Sequence, residues 1–496
     1  MGLVVRQSIF SSAISYVGVA IGYVNLLYLY PRFLELEQVG LLRTVQDAAI
    51  LFAPFAQMGV AQSIIRFYPQ FAGNPGQARG FAWLMLQLLA GGFALFALAF
   101  FIFQQAFMGY FQANAAAIQQ YGMLILWLTL ILLLQSVLEA CSRSLLKTVL
   151  PNLLRDVFVR VAFGVLVIGY FQQWLTFPQF MVSTLVANAL AVGILLISVA
   201  GSGAGALLAR PQRLPAGTRK KILQYALLSF AGTAGAIIVG KIDSMMVSGL
   251  LGLAANGIYT TAFYMATVIE IPKRALMQIA MPLISRAFEK NDLNEVLTLY
   301  RKTALNQLIV GALILIGVWA NVDALFLLMP KGEAYAAGKY VVLFVGAGKL
   351  IDMLFGPSSE IIVLSKYYAV NMVLMPVLAA LVIVLNNLLI PAYGIGGAAM
   401  ATALTLGIFN LLKFGFIWWK VGLQPFQTAT LTVAVIAAAT VLVNHLLPPL
   451  AVVWADMLYR SAVLSIFFSA LVLITRVSPE INTLFEKGLR LLRLRH

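Results

Sequence analysis

Charged side chains disappear from this chain for long stretches. No Asp, Glu, Lys or Arg occurs over residues 80–138, 161–209 or 367–412. Each stretch has room for two helices of about 20 residues and a turn, the length that crosses a bilayer core. The apolar runs are continuous. A membrane barrel would instead show alternating segments of about 10 residues, so strands are excluded. The pattern predicts helices at about 8–30, 44–68, 80–103, 120–142, 153–171, 177–200, 222–250, 255–283, 303–328, 339–364, 367–390, 395–418, 427–447 and 457–475. The expected fold is an all-α polytopic membrane protein of about 14 transmembrane helices. Arg155, Asp156 and Arg160 crowd the start of the fifth span, and a tight turn near Ser365-Lys366 separates the tenth from the eleventh.

Composition supports the reading. Hydrophobic residues make up 62% of the 496 positions and charged residues 10%, against about 45–50% and about 25% in soluble chains. A soluble core has no use for so much apolar surface, whereas lipid is an apolar solvent. The net charge of +16 would suggest nucleic acid if the basic residues formed one patch. They alternate with the spans instead. With the N-terminus inside, 26 of the 33 Lys and Arg fall in cytoplasmic regions, five outside, and two, Lys241 and Lys349, within spans. Cytoplasmic loops retain Lys and Arg, so both termini are expected in the cytoplasm of a bacterial inner membrane. The charge thus reports topology and contact with anionic membrane lipid, and no nucleic-acid partner is expected. One cysteine, Cys141, and two histidines, His445 and His496, exclude an internal disulfide and a His/Cys metal cluster. No small-residue cleavage site follows a short apolar region, so a removed signal peptide is not expected. Arg6 stands where a myristoylation signal needs Ser or Thr.

Two inner elements have amphipathic patterns. Asp292 is placed to cap a short surface helix, with Glu295 three residues on, running towards Tyr300. The tail from Pro479 alternates Leu484, Phe485, Leu489 and Leu492 with Lys487, Arg490, Arg493 and Arg495, as in a helix lying among headgroups.

The Gly- and Pro-containing basic stretch after residue 200 is the strongest break in composition. It divides the chain into an N-lobe (1–210, six spans), a linker (211–221), a C-lobe (222–420, six spans), two further spans (421–476) and the tail (477–496). Six is even, so both lobes have the same orientation and any repeat is parallel, with its axis along the membrane normal. Gly40-Leu-Leu-Arg-Thr-Val-Gln-Asp, opening span two, is faintly echoed by Gly257-Ile-Tyr-Thr-Thr-Ala-Phe, opening span eight.

Three stretches carry a wider likeness. They are Leu29-Tyr-Pro-Arg32 through Gly40-Leu-Leu-Arg43 to Gly59 and Ile64-Ile-Arg66-Phe; Asp243-Ser-Met-Met-Val with Leu251-Gly and Asn256-Gly257-Ile-Tyr; and Ile390-Pro391-Ala-Tyr393-Gly394-Ile-Gly396-Gly397. In their order and spacing the chain resembles the polysaccharide-transporter (oligosaccharide-lipid flippase) branch of the multidrug/oligosaccharidyl-lipid/polysaccharide exporter superfamily. The resemblance implies two six-helix lobes around a central cavity and alternating access by rocking. It implies a substrate too: a polyprenyl-diphosphate-linked oligosaccharide moved to the outer leaflet, upstream of glycan polymerisation machinery. It implies no cofactor beyond a coupling Na⁺ or H⁺.

An ionisable group within a span costs at least a few kcal/mol unless it faces protein or water. Arg43, Arg66, Lys241, Lys273, Arg274 and Lys349 are therefore candidates for a cationic cavity that holds a diphosphate. Asp47, Glu139, Asp243, Glu270 and Asp352 are candidates for ion coupling. Each has a structural alternative. Arg43–Asp47 and Lys349–Asp352 have the spacing of neutralised pairs on one helix face, and Glu139–Arg143 is another. Arg66, Lys273 and Arg274 suit anchors that snorkel to headgroups. A multidrug exporter of the same superfamily would want a net acidic cavity for its cationic substrates, and the basic excess argues against it. A polytopic glycan polymerase or ligase would need catalytic groups on an outer loop, and the longest expected one, 104–119, holds no charge or histidine. A lipid II flippase is a variant of the leading reading.

Overall fold

The structure is a computed structural model describing residues 3–71, 73–111, 114–201, 212, 214–215 and 217–493. Among these, every regular element is helical. Those used below are α1 (Leu3–Val24), α2 (Leu36–Gln57), α3 (Val60–Phe71), α4 (Pro75–Gly109), α5 (Ala115–Ser144), α6 (Val159–Phe171), α7 (Phe177–Ala200), α8 (Thr218–Leu251), α9 (Leu253–Thr267), α10 (Ile271–Glu289), α11 (Leu293–Ala320), α12 (Lys339–Leu354), α13 (Ser358–Leu364), α14 (Tyr368–Val421), α15 (Thr428–Leu446), α16 (Val453–Ile474) and α17 (Pro479–Arg493).

Eleven segments are long and apolar enough to cross a bilayer. One of them, Val373–Val421, contains a twelfth pass, because Gly394 breaks α14 with φ 57° and ψ −140°. Residues 149–171, joined through a π-helical segment Leu153–Phe158, make a thirteenth. Residues 253–289, joined by a 3₁₀ turn Val268–Glu270, make a fourteenth among the described residues. The protein is an all-helical, multi-pass membrane protein.

Some boundaries depart from the apolar pattern for local reasons. The second pass begins at Leu36 rather than 44, because Glu35 and Gln38 form a capping box in which the Glu35 N–H donates to Gln38 Oε1 at 3.0 Å. It stops at Gln57, where Met58 and Gly59 turn left-handed at φ 50° and 75°. Gly59 is doubly required there, since a Cβ would also lie 2.1 Å from the Ala226 carbonyl oxygen. The expected surface helix after Asp292 is not separate. Asp292 does cap, accepting from the Glu295 N–H at 2.9 Å. The helix then runs unbroken to Ala320 as α11, and Val296 and Tyr300 are buried against Ile284 of α10 and Ile361 of α13. That core contact overrides a surface role. The tenth pass ends at Leu354, because Gly356 is left-handed (φ 57°) and α13 starts anew after Pro357.

The chain forms two compact units. The first comprises residues 1–260 and 375–383, the second 261–374 and 384–496. Of the expected linker, Pro211, Arg213 and Ala216 lie outside the described residues, as does the preceding stretch 202–210. In the first unit, Val60, Ile64 and Phe67 of α3 pack with Phe81 and Leu84 of α4 and Leu133 of α5. Here α2 also crosses α9 at backbone distance. A Cβ on Gly40 would lie 1.8 Å from the Leu253 carbonyl oxygen, and one on Gly257 would lie 2.5 Å from that of Leu36. The two glycines that open the echoed motifs are thus partners in one contact. In the second unit, α15 and α16 dock on α11 through Val433, Ile436, Leu464 and Phe468 against Leu305 and Ile309.

The tail is helical from Pro479, and its start is tied to α11 by Lys302–Glu480 (2.7 Å) and by Ser478 Oγ donating to Asn306 Oδ1 (2.8 Å). The side chains of Leu484, Leu489, Arg490, Leu492, Arg493 and Arg495 lie outside the described residues.

The close crossing gives a stability test. Gly40→Ala and Gly257→Ala are each expected to cost about 2 kcal/mol or more, because backbone stands in the way and cannot yield cheaply. Gly91→Ala, in open space on α4, is expected to be neutral or slightly stabilising. Thermal unfolding followed by size-exclusion in detergent checks this. Equal behaviour of all three would refute the crossing.

Candidate functional site

Charged groups inside the spans gather in three places. The first lies in the first unit where α2, α8 and α9 meet. Asp47 is buried, and Lys241 Nζ donates to its Oδ1 at 2.6 Å. Next to it run neutral hydrogen bonds: Thr44 Oγ1 and Ser248 Oγ are hydrogen-bonded at 2.6 Å, Asn256 Nδ2 donates to Thr44 Oγ1 at 3.1 Å, and Ser244 Oγ donates to Asn256 Oδ1 at 3.0 Å. Asp243 accepts from the Tyr259 hydroxyl at 3.2 Å.

The sequence places Arg43 and Asp47 on one helix face, yet Asp47 takes its short ion pair from α8. A pair within one helix is worth only about 0.2–0.5 kcal/mol, whereas a buried carboxylate without a counter-charge costs about 3–5 kcal/mol. The facing ammonium therefore wins. Arg43 instead donates to Gln46 Oε1 at 3.3 Å and lies 5.5 Å from the Tyr30 ring centre.

A second group is built on Glu139 of α5. It accepts from Arg155 Nη1 at 2.9 Å, Arg143 Nη2 at 3.2 Å and Gln135 Nε2 at 3.2 Å. Arg155 also donates to Asp156, which accepts from Ser15 of α1 at 2.9 Å. The π-helical turn carries Arg155 and Asp156 together, and the expected Glu139–Arg143 pair is present within the larger set. Arg155 and Ser15 link separate helices here, so the group fastens α1, the π-helical turn and α5 together.

The third lies in the second unit, on the Val268–Glu270 turn, α10, α12, α13 and the second half of α14. Lys349 Nζ is 2.7 Å from Glu270 Oε2, and Arg274, with an exposed head, is 4.0 Å from Oε1. Lys273 Nζ bonds Asp352 Oδ2. Asn410 Nδ2 donates to Asp352 Oδ1 at 3.0 Å, and Lys413 Nζ stands 4.0 Å from the same oxygen. Lys413 donates to Ser359 Oγ at 2.9 Å and lies 4.4 Å from the Phe409 ring centre. The expected same-helix partners, Lys349 and Asp352, have each crossed to the neighbouring element. Side-by-side helices offer each carboxylate a straight approach that three residues along one helix do not.

Lys413 is the residue that the sequence reading missed. Its closeness to the inner loop suggests a loop charge, but it is 2% exposed and two turns inside α14, whose end is set by left-handed Gly422. The available signals were Gly422 as a C-cap and the three-residue spacing of Asn410 and Lys413, which shares a helix face. Arg66 sits apart from the three groups. It is exposed on α3, with its guanidinium 4.3 Å from the centre of the Tyr225 ring.

The first unit also has an apolar groove of about 450 Å³ between α2 and α4, lined chiefly by Phe52, Phe55, Phe96, Phe100, Phe103 and Phe107. Its walls offer hydrocarbon and aromatic surface, so it suits an alkyl or isoprenoid chain.

No family model and no curated protein matches the chain. Solved structures do. A lipid II flippase, MurJ, in an inward closed conformation superposes with TM-score 0.76 at 10% identity, over 95% of this chain and 100% of that one. An inward-facing multidrug-resistance MATE-family transporter of the MOP superfamily gives 0.59 at 15% identity, over 82% and 94%. A MOP superfamily transporter from Pyrococcus furiosus, whose binding pocket is described as reversed in polarity, gives 0.53 at 15% identity, over 85% and 95%.

The chain shares the fold of these solved structures. These structural neighbours are transporters and a flippase, not enzymes.

Double-mutant cycles test the crossed pairing. Neutralising Lys273 with Asp352, or Lys349 with Glu270, is expected to show coupling of about 1 kcal/mol or more in unfolding free energy. The Lys349 with Asp352 cycle should show less than about 0.5 kcal/mol. The opposite ranking would restore the same-helix pairs.

Proposed function

We propose that this protein is a flippase that moves a polyprenyl-diphosphate-linked oligosaccharide from the cytoplasmic to the outer leaflet of a bacterial inner membrane. In this reading it works by alternating access and supplies cell-surface polysaccharide synthesis. The observation that carries the proposal is the cationic group of the second unit. Lys273, Arg274 and Lys349 converge there on Glu270 and Asp352. Holding that many ammonium and guanidinium groups within spans is costly, and an anionic headgroup gives them a use.

The lysines are paired within the unit, and that suits transport better than permanently open cations would. An unpaired buried ammonium would destabilise the empty protein by several kcal/mol. A diphosphate brings more charge than one carboxylate and more acceptor oxygens, so it can take an ammonium over. Asp352 then keeps its hydrogen bond from Asn410. Arg43, Arg66 and Lys241 of the first unit remain candidates for anion binding in their own right, and Asp47, Glu139, Asp243, Glu270 and Asp352 remain the groups through which Na⁺ or H⁺ could act. The isoprenoid tail stays in lipid, so only the diphosphate and sugars need a polar path.

Lipid II is the second reading, favoured by the extent of the match to MurJ. Its headgroup has the same diphosphate, so the cation group fits both. A cation exporter is disfavoured, because the basic side chains in this group outnumber its carboxylates.

Proteoliposomes loaded separately with fluorescent polyprenyl-diphosphate oligosaccharide and with lipid II provide the test. Wild-type protein is expected to speed translocation of the oligosaccharide lipid at least about tenfold over protein-free vesicles, and Lys273→Gln or Lys349→Gln to remove most of that gain. Movement of lipid II alone would establish the second reading. Movement of a lipophilic cation and of neither glycolipid would overturn both.

A further inference from the structure

Lys413 is the buried charge that the proposed binding step leaves unexplained. Its surroundings do not suit a permanent ammonium. An ammonium has three N–H donors. The short contact found for it here is a neutral one, Ser359 Oγ at 2.9 Å. The Asp352 oxygen on its side is 4.0 Å away and already accepts from Asn410. The other Asp352 oxygen is held by Lys273. Facing Lys413 are therefore Lys273 from α10, Asp352 from α12, Ser359 and Glu360 from α13, and Phe409 and Asn410 from its own helix. As a neutral amine, Lys413 would fit: its lone pair can accept the Ser359 hydroxyl proton across the same 2.9 Å.

We propose that Lys413 is a proton-exchange site that loads when an anionic headgroup takes Lys273 away from Asp352. This rests on the reading above that the cation group receives a diphosphate. Once Lys273 turns to phosphate, Asp352 is a buried carboxylate lacking its counter-charge, and Lys413 is the amine beside it. Water or buffer gives up one proton, a new N–H bond forms on Nζ, and the ammonium replaces Lys273 at Asp352. No electron is exchanged. Headgroup release reverses the exchange. Anion binding and proton uptake become one event, so headgroup affinity falls as pH rises.

Farnesyl diphosphate in detergent is the probe. Calorimetric titration near pH 8 in two buffers of different ionisation enthalpy counts protons taken up per ligand bound. At that pH the phosphates are largely ionised already. Wild-type protein is expected to take up about one proton per ligand, and Lys413→Met and Lys413→Gln close to none while still binding. Wild-type binding without proton uptake overturns this inference on its own, even if neither variant folds. Binding with equal uptake in wild type and a folded variant also overturns it. Failure of wild-type protein to bind farnesyl diphosphate at all, while it folds normally, removes the diphosphate reading and this inference with it.

Discussion

A hydrocarbon slab gives an ionised side chain no water to lean on, so each must find an opposite charge, a hydrogen-bond donor or acceptor, or the interface. That constraint organises the polar interior of this protein. Lys241 finds Asp47 across the α2–α8 seam, Lys349 finds Glu270, and Lys273 finds Asp352. Each short pair joins two separate elements, so the ionic contacts that neutralise charge also fix how helices sit side by side. Glu139 does the same in the first unit, drawing α5 to the π-helical turn through Arg155.

The spans were legible because lipid asks little of sequence beyond sustained apolarity. Apolar runs mark the passes among the described residues, and the sixth pass, α7, matches its expected bounds of 177–200. Where the chain breaks was harder to read, because breaks depend on backbone conformation rather than hydropathy. Met58, Gly59, Gly356 and Gly394 adopt left-handed or extended geometry inside runs whose polarity hardly changes. The stretch after Asp292 misled for a related reason. Its amphipathic pattern is that of a surface helix, but its apolar face is spent on Ile284 and Ile361.

The same division runs through the site. Some of the buried charges, Asp47, Glu139 and Asp243, stand out in the sequence as ionisable groups within apolar runs, whereas Arg66 and Arg274 are exposed. Which partner each would choose does not stand out, because that depends on neighbours far away in the chain: Asp47 and Lys241 are 194 positions apart. Lys413 escaped notice because hydropathy blurs the last two turns of a span into the loop that follows. The fold match at 10% identity has a similar origin. Lipid-facing positions accept nearly any apolar residue, so architecture outlasts sequence, while the close crossing at Gly40 and Gly257 permits no side chain at all.

In the proposed reading, Lys273 and Lys349 offer charge to a headgroup that avoids oil. The most direct measurement is a cryo-EM structure of the protein with a bound polyprenyl-diphosphate saccharide. The account predicts phosphate density within hydrogen-bonding distance of Lys273 and Lys349, with the Lys273–Asp352 contact opened. A headgroup bound elsewhere, with both lysines still locked to their carboxylates, would contradict it.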